Sequence, residues 1–300
     1  MGASPRTLLR TRIPLRSAAI AAALGSALVT ATGCGANAPS VQNQQAAAPM
    51  SQLAGDMPVP PTGTSGTASV ADLSSPVTIS HRGGALVYPE ESMEGFTASA
   101  RDGFLPEMDI QFLSDGTPVL IHDDTADRTL NGATGPIRDL TREQWDAATI
   151  THPTGGAPAE TVTLTELLDE LGGEVVLVPE IKPGATSAEV DSVLDEFTDR
   201  GLTASLIVQS FDFDTAETIA DRGFTSLYLF DGTLPDQTPE QIAAAGITWV
   251  GPNRSLPADD VAALTGAGLQ VAPYGLKNAE DVAELPDGVA GWFTDDPWDE

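Results

Sequence analysis

The sequence predicts an α/β protein in which a (β/α)8 TIM barrel is preceded by a signal segment and a disordered linker. From about residue 76 onward, short apolar runs alternate with helix-like stretches. This order is typical of a parallel sheet with crossover helices. About eight strands in roughly 225 residues favour a closed barrel over an open sheet, since this barrel typically takes about 250 residues.

The first 33 residues have the pattern of an export signal. Arg6, Arg10, Arg12 and Arg16 form a positive segment without any acid, and an apolar, alanine-rich run follows over residues 17–32. That run has the length of a signal h-region and is too short for a comfortable membrane span. The sequence therefore predicts that the protein leaves the cytoplasm.

Cys34 directly follows the apolar run and is preceded by Ala31, Thr32 and Gly33. Small residues before a cysteine at this place resemble a bacterial lipobox, although the usual leucine three residues before the cysteine is Ala31 here. The resemblance implies that Cys34 carries lipid, becomes the mature N-terminus and makes the protein a cell-membrane lipoprotein. Ordinary cleavage nearby, with a secreted product, is the alternative. As the single cysteine of the chain, Cys34 cannot form an intramolecular disulfide.

Residues 34–75 are rich in Ala, Pro, Gly, Ser, Thr and Gln without an apolar period. This predicts a disordered tether ahead of a barrel domain over residues 76–300. The net charge is −29, and removal of residues 1–33 with their four arginines makes it −33. Nucleic acid and anionic lipid surfaces are bound by clustered Lys and Arg. We therefore expect no nucleic-acid partner and membrane contact only through an N-terminal lipid anchor, and the oligomeric state stays open.

Local patterning predicts each element of the barrel domain in turn. Short apolar runs predict strands over residues 77–80, 105–112, 119–121, 175–178, 205–208, 226–230, 247–250, 269–272 and 291–293. The stretches between them predict helices over residues 93–102, 164–171, 187–200, 214–222, 239–245, 257–267 and 279–285. Thr163 precedes the second of these helices as a capping residue, and the third helix is amphipathic.

Polar residues stand out at the predicted strands. His81 and Arg82 follow the first strand, and His122 follows the third apolar run. Glu107 and Asp109 lie within the second strand, where this spacing puts both carboxylates on one face because side chains alternate with period two. Taken singly, each residue is better explained by a hydrogen-bonded or solvated surface position. The prediction of a site depends on their conjunction.

Further polar residues extend this pattern. Glu180 and Lys182 follow the fourth run with their side chains on one face, and Glu90 and Glu91 come soon after the first strand. Active sites of this barrel lie at the C-terminal strand ends, so these groups should converge there. Burying several carboxylates together is costly unless a cation neutralises them. Oxygen ligands from Asp and Glu select a hard ion such as Ca²⁺ or Mg²⁺.

Eight short segments occur in a recognisable order along the barrel domain. They are H-R-G, P-E-E-S, E-x-D, D-G-T-P-V-L-I-H-D, D-R-T-L-N-G, P-E-I-K, Q-S-F and F-T-D-D-P. The set resembles the glycerophosphodiester phosphodiesterase family over about residues 77–297. This resemblance implies a metal-dependent enzyme of glycerol and lipid metabolism. Its small-molecule glycerophosphodiester substrate would be hydrolysed to sn-glycerol 3-phosphate and an alcohol.

The resemblance also implies roles for eight residues. The histidines that match the general acid and base are His81 and His122. The carboxylates that match metal ligands are Glu107, Asp109 and Glu180, while Glu90 stands where the family has a glutamate at the metal. The cations that match phosphate-binding groups are Arg82 and Lys182. Which histidine is the acid, and which group attacks first, stays open.

Two segments depart from the family pattern. Glu91 replaces the usual asparagine, which adds a carboxylate near the metal and could alter its affinity. At the seventh strand the family commonly has a tryptophan followed by a polar stretch, whereas this chain has residues 273–277, Pro-Tyr-Gly-Leu-Lys. That change could alter the wall around the headgroup, whose identity the sequence does not specify.

Two alternative functions remain open. A lysophospholipase D or sphingomyelinase D type activity would use the same barrel and motifs. Its acyl-chain substrates would need an apolar rim, such as Leu86, Val87 and Phe230. A non-catalytic lipoprotein that binds phosphodiesters is the other alternative, and the presence of both His81 and His122 argues against it. Fold alone does not decide between these, because function depends on the site.

Overall fold

The computed structural model describes residues 67–299. The predicted signal segment, Cys34 and most of the predicted tether lie outside the described residues, so these predictions remain untested. Within the described range, no helix is both long enough and apolar enough to cross a membrane.

Eight parallel strands surround the barrel axis. They are β1 (Val77–Ser80), β2 (Leu105–Phe112), β3 (Val178–Ile181), β4 (Ile207–Ser210), β5 (Thr225–Phe230), β6 (Trp249–Pro252), β7 (Gln270–Val271) and β8 (Gly291–Thr294). Adjacent strands pair in the order β7-β6-β5-β4-β3-β2-β1-β8. Hydrogen bonds from the Ala290 and Phe293 amides to the carbonyls of Val271 and Pro273 nearly close the ring between β7 and β8. The predicted barrel is confirmed.

Helices follow the strands and cover the barrel. They are α1 (Met93–Asp102), α2 (Arg142–Ala147), α3 (Leu164–Leu171), α4 (Ser187–Asp199), α5 (Phe213–Asp221), α6 (Pro239–Ala244), α7 (Ala258–Gly266) and α8 (Ala279–Ala283). The predicted cap of α3 is present: Thr163 Oγ1 accepts from the Glu166 amide, and the Glu166 carboxylate accepts from the Thr163 amide. This reciprocal pair satisfies two amides that the helix itself leaves unpaired.

Strand β2 divides its side chains between two environments. Met108 and Ile110 are buried in the apolar cluster that includes residues of α3 and α4. Glu107 and Asp109 alternate with them and therefore point into the barrel. Register then aligns the polar residues of neighbouring strands, since Asp109 pairs with Glu180 of β3. The predicted common face of the two β2 carboxylates is confirmed.

Two predicted strands differ from the structure. Pairing places β3 at 178–181 rather than 175–178, so Glu180 lies inside the strand. The run predicted over 119–121 forms the strand Pro118–Leu120, which pairs antiparallel with β2 and is not a barrel strand. The reason is the turn at Asp115 and Gly116, where the Asp115 carboxylate accepts from the Thr117 amide and Gly116 has φ +85°. His122 therefore follows a return strand above the barrel mouth.

An insertion between β2 and α3 was not predicted. It contains α2 and three short antiparallel strands, Leu130–Asn131, Thr149–Ile150 and Ala159–Glu160. Trp145 is fully buried in its small core, together with Ile137 and Ile150. This insertion carries the D-R-T-L-N-G segment next to the barrel mouth.

Residues 67–75 belong to the folded domain rather than to a free tether. Val70–Asp72 form a short 3-10 helix, and the Ala68 amide donates to the Gly173 carbonyl at 2.8 Å. Val70 and Leu73 pack against the cluster inside the barrel that contains Val77 at the start of β1. The predicted boundary at 75/76 therefore lies too late. This segment covers the end of the barrel where the strands begin, opposite the mouth.

Candidate active site

Three carboxylates converge in the barrel mouth. Glu107, Asp109 and Glu180 each offer an oxygen within 4.8 Å of the others, and all three residues are buried. Strand register produces this group, since Asp109 pairs with Glu180 across β2 and β3. The sequence predicted these three residues as metal ligands, and the structure brings them together.

Cationic and amide groups surround the three carboxylates. The Arg82 amide donates to Glu107 Oε2 at 2.7 Å, and Gln209 Nε2 donates to Glu107 Oε1 at 3.0 Å. Lys182 Nζ lies 3.2 Å from Asp109 Oδ1 and 3.2 Å from Glu180 Oε1. Gln209 belongs to the Q-S-F segment, to which the sequence analysis assigned no role.

Two buried oxygens of the three carboxylates are only partly satisfied. Among the described residues, Asp109 Oδ2 and Glu180 Oε1 make no well-aligned hydrogen bond; each faces a cationic nitrogen, Arg82 Nε at 3.3 Å and Lys182 Nζ at 3.2 Å respectively. Buried polar atoms are nearly always fully hydrogen-bonded, so these partly satisfied carboxylate oxygens are suited to a further cation. Glu107, Asp109 and Glu180 could hold a divalent ion, and an all-carboxylate set suits Ca²⁺ or Mg²⁺.

Burial and neighbouring charges shift the pKa values of the three carboxylates. Burial, reinforced by the nearby Asp109 charge, raises the pKa of Glu180 to about 8 and raises the pKa of Glu107 well above its usual range. Burial also opposes ionisation of Asp109, yet Lys182 and Arg82 hold the pKa of Asp109 below its usual value. A cation bound by these carboxylates would therefore compete with protons for Glu180 and Glu107.

Glu90 lies outside this group. Its two oxygens accept hydrogen bonds of 2.7 Å from Arg128 Nη1 and Nη2, and Glu90 Oε1 lies 3.6 Å from Arg82 Nη1. Among the described residues, the metal-ligand geometry that unites the three carboxylates does not include Glu90. The structure therefore does not support the prediction of Glu90 as a fourth ligand. Sequence spacing gave no sign that Arg128 would occupy both of its oxygens.

Glu91 is buried beneath the site and braces the strand backbone. Its carboxylate accepts from the Asp109 amide at 3.2 and 3.3 Å. Its φ of +60° lies in the left-handed region, where asparagine is enriched and most other residues are uncommon. Burial, with the neighbouring Asp109 charge, raises the pKa of Glu91 well above its usual range. The added carboxylate thus contacts the backbone of a ligand residue instead of joining the three-carboxylate group.

Both predicted catalytic histidines lie in the mouth, and each is held by an aspartate. His81 Nδ1 is 2.5 Å from Asp295 Oδ1, and His122 Nδ1 is 2.8 Å from Asp123 Oδ1. An anchored Nδ1 leaves the other ring nitrogen, Nε2, for proton transfer. Burial lowers the pKa of His122, and the nearby Asp109 charge opposes that shift. Asp123 ends the D-G-T-P-V-L-I-H-D segment and Asp295 belongs to F-T-D-D-P, but their spacing along the sequence gives no sign of either contact.

A tight turn directs the first histidine and its neighbour into the mouth. Arg82 has φ +52°, and the two glycines that follow have φ +75° and +88°. A Cβ on Gly84 would lie 2.5 Å from the Trp298 ring, so glycine is required at this approach. Trp298, near the end of the chain, thus packs on the loop that carries His81.

The cavity of about 250 Å³ beside these groups has one polar and one apolar side. The polar side includes both histidines, Arg82, Glu107 and Glu180, and the apolar side is formed by Phe211, Leu229, Tyr274 and Phe293. Phe211 and Tyr274 meet edge to face with centroids 5.7 Å apart. Tyr274 belongs to the segment that departs from the family pattern, so that departure does alter a wall of the site.

The predicted apolar rim is partly wrong. Phe230 is 6% exposed and packs outside the barrel with Tyr228 and Val250. The alternation along β5 sends Leu229 into the barrel and Phe230 out of it. Leu86 is 45% exposed on the loop after β1, as a rim residue would be.

The mouth of this TIM barrel combines three buried carboxylates, two cationic side chains and two anchored histidines. These features define a class of protein that could bind a metal ion and an anionic ligand. The sequence matches the glycerophosphoryl diester phosphodiesterase family over residues 81–298, nearly the whole described domain. The chain belongs to this family.

Two sequence relatives and one solved structure illustrate what this chain is similar to. Human glycerophosphodiester phosphodiesterase 1 is 49% identical over 67 residues, 22% of this chain, so the match spans 20% of that relative's length. The glycerophosphodiester phosphodiesterase of Bacillus subtilis is 27% identical over 262 residues, covering 77% of this chain and 88% of that protein. An Oleispira antarctica phosphodiesterase, solved with the product sn-glycerol-3-phosphate, has a TM-score of 0.64 at 20% identity, covering 74% of this chain and 94% of that one. At that identity the likeness shows the fold alone.

Proposed function

We propose that the protein is a metal-dependent phosphodiesterase that hydrolyses glycerophosphodiesters to sn-glycerol 3-phosphate and an alcohol. One observation carries this proposal: His81 and His122, each anchored through Nδ1, line the same cavity as Glu107 and Glu180, two of the three buried carboxylates. Family membership supports it. The sn-glycerol-3-phosphate bound by the Oleispira phosphodiesterase is the product that this reaction would give.

Arg82 and Lys182 are placed to hold the phosphate. Both side chains reach the cluster of three carboxylates: Arg82 Nε lies 3.3 Å and Lys182 Nζ lies 3.2 Å from oxygens of Asp109. Fixed cations beside the phosphorus neutralise charge that develops on the phosphoryl oxygens. A divalent ion held by Glu107, Asp109 and Glu180 would add Lewis-acid stabilisation of the same oxygens.

The two histidines supply the proton transfers. The Nε2 of one ring accepts a proton from the attacking group, water or a substrate hydroxyl, as the new P–O bond forms; if the substrate hydroxyl attacks, water must then open the cyclic phosphate to give sn-glycerol 3-phosphate. The other ring donates a proton to the departing alcohol oxygen as the old P–O bond breaks, which leaves the total number of protons unchanged. Such transfers suit imidazole because its ordinary pKa lies near 6.5.

The apolar side of the cavity favours one second candidate. Phe211, Tyr274 and the exposed Leu86 would suit a lipid substrate, as in a lysophospholipase D or sphingomyelinase D type reaction. The chemistry at phosphorus would be the same, and only the group attached to the phosphate would differ. A phosphodiester-binding protein without turnover would use the same cations but would not need the histidine anchors.

A choline-release assay distinguishes these functions. Glycerophosphocholine and lysophosphatidylcholine both yield choline, so they can be compared under one readout. We expect release from glycerophosphocholine, its loss on exhaustive chelation, and its restoration by Ca²⁺ or Mg²⁺. Release from lysophosphatidylcholine alone would favour the lipid alternative, and binding without release from either would favour the binding protein. Full activity after chelation would contradict the metal requirement.

We also propose that lipid on Cys34 tethers the protein to the cell membrane. The described chain begins at the barrel end opposite the mouth, where the Ala68 amide donates to the Gly173 carbonyl. Cys34→Ser should release the protein into the medium, because a lipid anchor needs the thiol. Fractionation of the cells with mass spectrometry of the N-terminus checks this. The tether proposal would be wrong if Cys34→Ser stayed membrane-bound and the native protein did not begin at residue 34.

A further inference from the structure

Arg128 connects two loops at the barrel mouth. It belongs to the D-R-T-L-N-G segment, to which the sequence analysis assigned no role. Its Nε and Nη2 donate to the two Asp123 oxygens at 2.6 and 2.9 Å. Its Nη1 and Nη2 donate to the two Glu90 oxygens at 2.7 Å each. One guanidinium thus engages both oxygens of two carboxylates, the geometry in which arginine is least replaceable.

Each of these carboxylates reaches an active-site group in turn. Asp123 Oδ1 lies 2.8 Å from His122 Nδ1, and Glu90 Oε1 lies 3.6 Å from Arg82 Nη1. A continuous chain of contacts therefore runs from His122 through Arg128 to Arg82. It joins a group that moves a proton to a group that holds the phosphate.

The side chain of His122 is less constrained by the barrel than that of His81. The His122 side chain is 35% exposed, compared with 22% for His81. Its partner Asp123 is the adjacent residue in the same loop, whereas His81 is anchored by Asp295, directly after the barrel strand β8. Gln111 Nε2 donates to the His122 carbonyl at 3.2 Å, so β2 fixes the loop backbone. Within residues 67–299, the hydrogen bond that fixes the ring comes from Asp123.

We propose that Arg128 is a positioning residue that fixes His122 through Asp123 and Arg82 through Glu90, and that it keeps Glu90 away from the metal ion. The proposal rests on the proposed function for its kinetic consequences. The hydrogen bonds of Arg128 go to Asp123 and Glu90, which are not members of the three-carboxylate cluster. Its side chain is 47% exposed, and ion pairs this open to water contribute little to folding.

Kinetics of Arg128→Gln and Arg128→Lys test the positioning role. Arg128→Gln should lower kcat for glycerophosphocholine about 10- to 100-fold, the usual effect of removing an outer hydrogen-bonding partner. Arg128→Lys keeps the charge but cannot engage four oxygens, so it should restore only part of the loss. In a His122→Ala background, Arg128→Gln should cost less than in the native protein, because one of the two residues through which it acts is gone.

Arg222→Gln is the matched control. Arg222 bridges Asp191 and Asp195 of α4 from the end of α5, on the outside of the barrel. It should keep native kcat, and all variants should melt within a few degrees of the native protein. Equal losses in Arg222→Gln and Arg128→Gln, or an undiminished effect of Arg128→Gln without His122, would overturn the positioning role.

Two measurements test the same proposal without turnover. The chain has three histidines, so ring resonances can be assigned by NMR, and Arg128→Gln should move or broaden those of His122 while those of His81 and His152 stay unchanged. Calorimetric titration with Ca²⁺ or Mg²⁺ should give Glu90→Gln the native affinity. An unmoved His122 resonance, or weakened cation binding in Glu90→Gln, would overturn the proposal. A native protein that binds the cation but hydrolyses no diester would refute the proposed function alone.

Discussion

His122→Ala and His81→Ala are each expected to lower kcat for glycerophosphocholine about 10²- to 10⁴-fold, the usual contribution of general acid–base catalysis. KM should change much less, because Arg82 and Lys182 stay in place beside Asp109 to hold the phosphate. Both rings are anchored through Nδ1, so alanine removes the proton-transfer group without removing a phosphate contact.

A nitrophenyl ester of glycerol phosphate separates the two roles. Its leaving group needs no proton, so it should rescue the variant that lacks the acid and leave the variant that lacks the base slow. His152→Ala is the control, since His152 lies on an exposed loop against Thr154 and should be silent. Near-native hydrolysis of glycerophosphocholine by both alanine variants would rule out these histidines as acid and base.

Removing the charge of a carboxylate ligand should have the other large effect. Glu107→Gln and Asp109→Asn are expected to weaken cation binding and to lower kcat/KM on the order of 10³-fold or more, because a bound metal supplies several kcal/mol of transition-state stabilisation. The barrel should stay folded in Glu107→Gln. The new amide oxygen can still accept from the Arg82 amide, and a neutral group costs less to bury than a carboxylate.

Calorimetry and thermal melting check this prediction together. Asp109→Asn also removes the counter-charge of Lys182 and Arg82, so it should melt lower than Glu107→Gln. Glu166→Gln, at the exposed cap of α3, should keep native cation affinity and activity. If Glu107→Gln and Asp109→Asn both bound the cation with native affinity, these carboxylates would not be the cation's binding site.

The same titration has an expected pH dependence. Burial raises the pKa of Glu180 to about 8, so below that pH the cation must displace a proton to bind. Affinity should therefore rise as the pH increases from 6 towards 8 and level off above it. Proton release, measured from the dependence of the binding heat on the buffer, should fall over the same interval. A cation affinity that stays constant across this range would contradict a protonated Glu180.

Local pattern determined much of the fold. The bounds of β1, β2, α1 and α3 agree with the sequence prediction, because hydrophobic periodicity and capping residues act within a few positions along the chain. The period of two in β2 also determined that Glu107 and Asp109 share a face, and thus two of the three converging carboxylates. Strand β3 was displaced by three residues because its bounds depend on pairing with β2 and β4, which its own apolar run does not record.

Only the tertiary structure decided which charged groups engage each other. Glu90 and Arg128 are 38 positions apart, and His81 and Asp295 are 214 apart, yet each pair is in hydrogen-bond contact. The acidic composition offered many equivalent carboxylates, so sequence alone could place Glu90 near the mouth but not assign its partner. Ionic contacts are set by distance and desolvation in the folded protein, and neither is encoded in local spacing. The sequence thus determined the barrel and the residues of the candidate site, whereas folding decided that Arg128 engages both oxygens of Glu90.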